Sequence, residues 1–234
     1  MARLNSCYGS ELHLLRMLGR HRRFFDQKVS DATGADEVEW SDFPSGDMRL
    51  DKQRHAIWDR EWQHLQFLPV DDPAKVAWDA AWPTHRPGPS WDAIGQLRVG
   101  TGREWLLVEA KGNLQELTSD CHAQDPESLK AIRQTLDDTR AALGAPDICD
   151  WSKGYYQYCN RLAVLHAMNR AGSATRMLFV YFFGDVGDGG RSCPASKAEW
   201  ADELAKQDHH VGLPADHPLK GRVHRLFVDT RCIA

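Results

Sequence analysis

The stretch PSWDAIGQLRVGTGREWLLVEAKGN, residues 89–113, decides how this chain is read. Trp91–Val99 alternates loosely between apolar and polar residues, Gly100-Thr101-Gly102 interrupts the run, and Arg103–Lys111 is a second run holding Trp105, Leu106, Leu107 and Val108. Two such runs around a glycine-rich break predict a β-hairpin. A two-residue loop at Gly100-Thr101 suits a type II′ turn, whose first central residue needs a positive φ. That turn pairs Val99 with Gly102, and counting back sets Asp92 opposite Glu109. Side chains alternate along a strand, so Lys111 shares the face of Glu109 while Ala110 points away. Moving the turn to Thr101-Gly102 changes the partner but not the face; only an odd shift or a bulge separates the three groups.

Two like charges opposite each other on one sheet face repel by roughly 0.2–1 kcal/mol when solvated, and by more when partly buried. A hard divalent cation offsets the repulsion. Mg²⁺ prefers carboxylate oxygens, keeps several waters, and makes a bound water easier to deprotonate. A nearby Lys neutralises charge on a phosphate or orients the attacking water. Asp92 facing Glu109-x-Lys111 is therefore the minimum equipment for metal-assisted phosphodiester hydrolysis. The structural alternative is an ordinary Glu109–Lys111 ion pair at a strand end, with Asp92 merely opening its strand.

Pro89-x-x-Asp92 followed by Glu109-Ala110-Lys111 at the end of an apolar strand resembles the PD-(D/E)XK nuclease superfamily, also called the restriction-endonuclease-like fold. The resemblance implies an α/β domain with an αβββαβ core, its central mixed sheet flanked by helices and elaborated by helices toward the N-terminus. It also implies one or two Mg²⁺ ions, or Mn²⁺ in their place, on Asp92 and Glu109 with help from the Ala110 carbonyl, and Lys111 at the scissile phosphate. The expected partner is nucleic acid, DNA ahead of RNA, and a homodimer is compatible with the reading. Two residues separate Pro89 from Asp92, a small departure since that proline is often absent from the family. A second acidic-x-Lys, Asp26-Gln27-Lys28, follows a basic helical-looking run with no apolar strand before it, so it lacks the context that marks Glu109. Two further readings stand beside the nuclease: a non-catalytic binding or regulatory module on the same fold, and a metal-dependent hydrolase of a small phosphate ester.

At 234 residues the chain suits a single domain with a sizeable core, with residues 30–88 as a peripheral insertion or elaboration. Six cysteines, widely scattered and without a C-x-x-C pair, favour reduced thiols over a disulfide framework or a structural zinc site. No apolar run approaches the roughly 20 residues of a membrane span, and MARLNSCYGS lacks a secretory apolar stretch, so no membrane partner and a cytoplasmic location are expected. The net charge of −4 gives no global attraction to nucleic acid, so any such surface must be a local patch.

Ser10–Lys28 reads as one strongly basic helix, with Leu14, Leu15, Leu18 and Phe25 on its apolar stripe. Glu11 is either a first-turn residue interacting with the helix dipole or, as the resemblance implies, a carboxylate facing the metal. Arg22 and Arg23 are either a solvated face or phosphate contacts. Residues 30–50 are acidic and rich in turn formers, and read as a loop. Asp51–His64 looks helical, Gln66–Val70 is a candidate first core strand, Asp72-Pro73 starts a helix, and Lys75–Trp82 stays open between helix and strand. Six of nine tryptophans fall between Trp40 and Trp91, which fits a core better than a base-stacking platform. Asp125-Pro126 begins a helix to about Leu143, and a further helix spans Gly154–Ala171. Tyr155, Tyr156, Gln157 and Arg161 cluster at its N-terminal end, which suits a phosphate. Some exonuclease-like members of the family carry Gln-x-x-x-Tyr there; Gln157 is followed by Arg161, a half match that makes both candidate substrate or water contacts. Thr175–Phe183 reads as a strand covered on both faces, Ser196–Gln207 as an amphipathic helix and Arg222–Asp229 as a last strand.

Overall fold

The central hairpin forms in the register that its turn dictates. The computed structural model describes residues 9–42, 61–83, 88–148, 150–185 and 193–233. Its strands are β1 (Glu37–Trp40), β2 (Trp62–Gln63), β3 (Ser90–Trp91), β4 (Ala93–Val99), β5 (Gly102–Lys111), β6 (Thr175–Phe183) and β7 (Val223–Asp229). The helices are α1 (Ser10–Leu18), α2 (Arg22–Thr33), α3 (Pro73–Ala81), α4 (Pro126–Ala142), α5 (Tyr156–Arg170) and α6 (Lys197–Val211). Val99 pairs with Gly102 and Ala93 with Val108. Gly100 has φ +58 while Thr101 does not take a positive φ, as a type II′ turn requires.

Five strands make one mixed sheet in the order β1-β4-β5-β6-β7. β1, β4 and β5 are antiparallel, and β6 and β7 run parallel to β5. Parallel neighbours need crossover connections, and α4 with α5, then α6, supply them. The sheet is covered on both faces. One face buries Ile94, Leu107, Met177, Phe179 and Tyr181 against α3, α4, α5 and α6; the other buries Leu106, Val108, Ala110, Leu178, Val180 and Phe182 against α1 and α2. The nearly continuous apolar run of β6 follows directly from this double coverage. Helix starts are set by their caps: Asp72 accepts from the Ala74 N–H and Asp125 from the Ser128 N–H, each at 2.8 Å and each followed by proline.

Four expectations are corrected. The basic helix breaks at Gly19-Arg20-His21 into α1 and α2, so the register of its apolar stripe restarts and brings Phe25 and Val29 onto the sheet. Residues 37–40 are strand, not loop: the alternation Glu-Val-Glu-Trp buries Val38 and pairs Glu37 with Arg98 and Glu39 with Arg103 across the strands. Gln66–Val70 is not the first core strand but part of a turn that buries Leu65 and Leu68. Of Asp51–His64, residues 51–60 lie outside the described ones, and Trp62–Gln63 pairs with Ser90–Trp91 in a two-residue ribbon, not a helix. The open choice at Lys75–Trp82 resolves as helix, so the stretch 30–88 supplies an edge strand and a core helix to the domain. No described helix is long and apolar enough to cross a membrane.

Candidate active site

The hairpin register carries Glu109 and Lys111 to the end of β5, on the face covered by α5, while Asp92 sits in the break between β3 and β4 and not in the paired register expected opposite Glu109. Asp92 lies just beyond β4, where its backbone N–H donates to the Val108 carbonyl at 3.1 Å. Its carboxylate then takes over the acceptor role that β4 no longer supplies: the Ala110 N–H donates to Asp92 Oδ2 at 2.6 Å. The N–H and C=O of one strand residue project toward the same neighbour, so the Ala110 carbonyl is turned to the Asp92 side as well. The Ala110 side chain points into the opposite core layer.

Glu109, Lys111 and Arg161 are almost wholly buried, at 3%, 7% and 3% exposure. Lys111 Nζ donates to Glu109 Oε1 at 2.5 Å and to Gln157 Oε1 at 2.6 Å. Arg161 donates to Glu109 Oε2 through Nε at 2.9 Å and Nη2 at 2.7 Å, and its guanidinium lies 4.9 Å from the centre of the Trp91 ring. Gln157 and Arg161 are four residues apart on α5 and so share one face of the helix. Ser119 fixes that turn, its Oγ accepting the Gln157 N–H at 2.8 Å. Trp91 is fixed in turn by donating its indole N–H to the His64 carbonyl at 2.7 Å.

The two carboxylates are in contrasting states. Burial disfavours ionised Glu109, yet the charges of Arg161 and Lys111 outweigh it and hold the carboxyl below its ordinary range. Asp92 goes the other way: burial, reinforced by the Glu109 charge, lifts it to about 7. No described Lys or Arg forms an ion pair with Asp92. A carboxylate oxygen accepts about two hydrogen bonds. Arg161 fills Oε2 of Glu109, Lys111 takes one position on Oε1, and the Ala110 N–H takes one on Asp92 Oδ2. Acceptor positions therefore remain on Glu109 Oε1 and on Asp92, which with the Ala110 carbonyl form an all-oxygen donor set suited to a hard cation. Among the described residues no group of three or more His, Cys, Asp or Glu gathers as a metal site, so most of such an ion's shell would be water or substrate.

The remaining candidates separate. Arg161 is buried against Glu109 and Trp91 and donates to that carboxylate. Glu11 is exposed on α1; the buried polar residue of that helix is His13, whose Nε2 lies 2.6 Å from the Asp185 carboxylate and whose ring meets Phe182 on the far face of the sheet. Gly112 meets the start of α1 so closely that a Cβ there would stand 2.7 Å from the Ser10 nitrogen. Arg22 pairs with Asp26 and lies over Trp40, and Arg23 is exposed beside it, both on the opposite layer from Lys111. Tyr155 caps α5 with its ring 5.3 Å from that of His210, Tyr156 packs against the core layer of α3, α4 and α5, and neither is hydrogen-bonded to Asp92, Glu109 or Lys111. Trp91, Ser119 and Asn160, which bonds Arg161 Nη1 at 2.7 Å, are parts of the site that sequence reasoning did not single out. Comparison with family models, curated proteins and solved structures finds no match to this chain.

Proposed function

We propose that this chain is a divalent-metal-dependent hydrolase of nucleic-acid phosphodiester bonds, DNA ahead of RNA, built on a restriction-endonuclease-like core. One observation carries the reading: a half-buried Asp92, lifted to about 7 and without an ion-pair partner among the described residues, shares a strand end with Glu109 and Lys111. The element order α2-β1-β4-β5-α5-β6 supports the αβββαβ core. A bound Mg²⁺ or Mn²⁺ would supply charge stabilisation and a more acidic water. Asp92, Glu109 and the Ala110 carbonyl would hold that ion. Lys111 would offset charge developing on the scissile phosphate, its ammonium aimed by Glu109 and Gln157. Arg161 keeps Glu109 ionised and in one rotamer, and Trp91 and Asn160 keep Arg161 in place. These three are positioning residues.

A second reading rests on the same network: Glu109 already carries two cationic partners of its own, which fits a binding module whose ion cluster is structural. Calorimetry with Mg²⁺ and Mn²⁺, together with hydrolysis of linear and nicked DNA and of RNA, separates the two. The variant is Asp92→Asn, because removing Glu109 would strand buried Arg161 and confound binding with unfolding. Metal binding and cleavage that both disappear in Asp92→Asn support the hydrolase. Absence of divalent-dependent cleavage on every substrate, with metal uptake identical in wild type and variant, leaves the binding module.

A further inference from the structure

Hydrolysis must place the proton of the attacking water, and none of the residues gathered at the strand end is free to take it. Lys111 Nζ donates to Glu109 and Gln157, and an ammonium has no lone pair to offer. Burial disfavours ionised Glu109, but Arg161 and Lys111 hold its carboxyl below the ordinary range, which makes it a weak base. Asp92 is committed to the proposed ion. We propose that Glu61 is the general base of this hydrolase, taking the proton of the attacking water from the solvent side of Asp92. The proposal rests on the hydrolase reading above and adds a catalytic residue to that site.

The placement comes from the β2–β3 ribbon. Trp62 pairs with Trp91 and Gln63 with Ser90, so Glu61, one residue before Trp62, and Asp92, one after Trp91, lie side by side at the end of the ribbon. Facing residues of antiparallel strands stand ~4.5–5.5 Å apart at Cβ, a gap that one water bridges between two carboxylates. The charge of Glu61 is felt there: after burial and Glu109, it adds to the rise of the Asp92 carboxyl. Glu61 is exposed, and among the described residues it makes no hydrogen bond or ion pair, so both of its oxygens are open to water. It does not gather with Asp92 and Glu109 as one metal-binding group, so it stands outside the proposed ligand set and beside it.

The ribbon is anchored on both strands. The His64 N–H donates to the Pro89 carbonyl at 2.6 Å, the Trp91 indole to the His64 carbonyl at 2.7 Å, and the Trp62 indole to the Asp42 carbonyl at 3.2 Å. His64 is buried at φ +50, and Gly88 lies so close that a Cβ there would stand 1.9 Å from the His64 ring. A positive φ is costly for any residue but glycine and is kept only where the surroundings over-determine it. Glu61 therefore adjoins a fixed pair of residues, and only its own side chain must be ordered for the reaction. In the step itself a water O–H bond breaks and the water oxygen uses an electron pair to bond to phosphorus. The proton goes to a Glu61 carboxylate oxygen, the P–O bond to the leaving strand breaks, and the leaving oxygen takes a proton from solvent. Glu61 then returns its proton to solvent.

The test uses Glu61→Gln, Glu61→Ala and, as a charge control, Asp31→Asn on α2, which packs on the opposite face of the sheet. Melting in EDTA, and the rise in melting temperature with Mg²⁺, should match wild type in all three, since an exposed side chain without a partner is altered and the proposed ligands are untouched. Cleavage is read on whichever of linear DNA, nicked DNA and RNA the wild type cleaves fastest. There kcat should fall at least about hundredfold in Glu61→Gln and Glu61→Ala and stay unchanged in Asp31→Asn. Formate, a small carboxylate that enters the space left in Glu61→Ala, should restore much of that variant's rate and leave the wild type's unchanged. An unaltered kcat in Glu61→Gln overturns the base and leaves the hydrolase standing. A rate loss that comes with a lost Mg²⁺ shift, or that formate does not relieve, overturns the base as well. A wild type without divalent-dependent cleavage of any of the three substrates overturns the hydrolase and the base with it.

Discussion

Replacing Asp92 by asparagine should make the metal-free protein more stable, and only above acid pH. Burial first, and the Glu109 charge second, lift the folded carboxyl from 3.8 to about 7. Between those values the folded chain holds a proton that the unfolded chain has released, so the group's contribution falls as pH rises through this window and stays low beyond it. A rise of about three pKa units at about 1.36 kcal/mol each bounds the penalty near 4 kcal/mol. Water penetration and side-chain relaxation reduce that bound, giving an expected range of about 1–4 kcal/mol. Asparagine has no charge to desolvate, and its Oδ1 can still accept the Ala110 N–H that Asp92 Oδ2 accepts at 2.6 Å. Wild type and variant should therefore melt together near pH 4 and diverge toward pH 8, by roughly 2–4 °C per kcal/mol for a chain of this size. Circular-dichroism melts in EDTA from pH 4 to 8 measure the difference, in which all other titrations common to both proteins cancel. Mg²⁺ should then raise the wild-type melting temperature at pH 8 and leave the variant's unchanged. A variant no more stable than wild type at pH 8 would refute the account of Asp92 as a carboxylate short of positive charge.

Glu109→Ala should cost about 3–5 kcal/mol in urea unfolding, because it leaves Arg161 and Lys111 buried without their anion. Adding Arg161→Met to it should restore part of that loss; no recovery would mean that the guanidinium is not the stranded group. Gly100→Ala should cost about 1 kcal/mol through the positive φ at the turn, although nothing lies within 4 Å of the added Cβ, and the urea m-value should stay at its wild-type level because the register is unchanged. A variant as stable as wild type would show that the positive φ at Gly100 carries no cost.

Much of the fold was legible because its signals are local. Proline after a capping aspartate marked α3 and α4, an unbroken apolar run marked β6, and glycine at a two-residue loop set the hairpin. What failed was short or compensated. β1 has four residues, two of them glutamates that pair with Arg98 on β4 and Arg103 on β5, so composition alone reads it as solvated loop. The break between α1 and α2 hid because the leucines before it and Phe25 after it keep an apparently continuous helical spacing.

The site divides along the same line. Strand parity alone puts Glu109 and Lys111 on one face; Asp92 falls at the break between β3 and β4, outside the paired register, and meets the strand through the Ala110 N–H. The partners from α5 are non-local, and that helix is buried almost all round from Tyr158 to Leu165, so amphipathic spacing does not single out the side that meets the sheet. A different signal was present. Arg161 interrupts an apolar helix and Glu109 an apolar strand, and a lone buried charge on either element would cost several kcal/mol. Each therefore requires an opposite charge from elsewhere in the core, and they are each other's most economical answer. Once Arg161 and Lys111 are assigned to Glu109, no described Lys or Arg is ion-paired with Asp92, whose carboxyl keeps its proton up to about pH 7. That unpaired carboxyl, more than the tripeptide spacing, is what motivates the proposed metal.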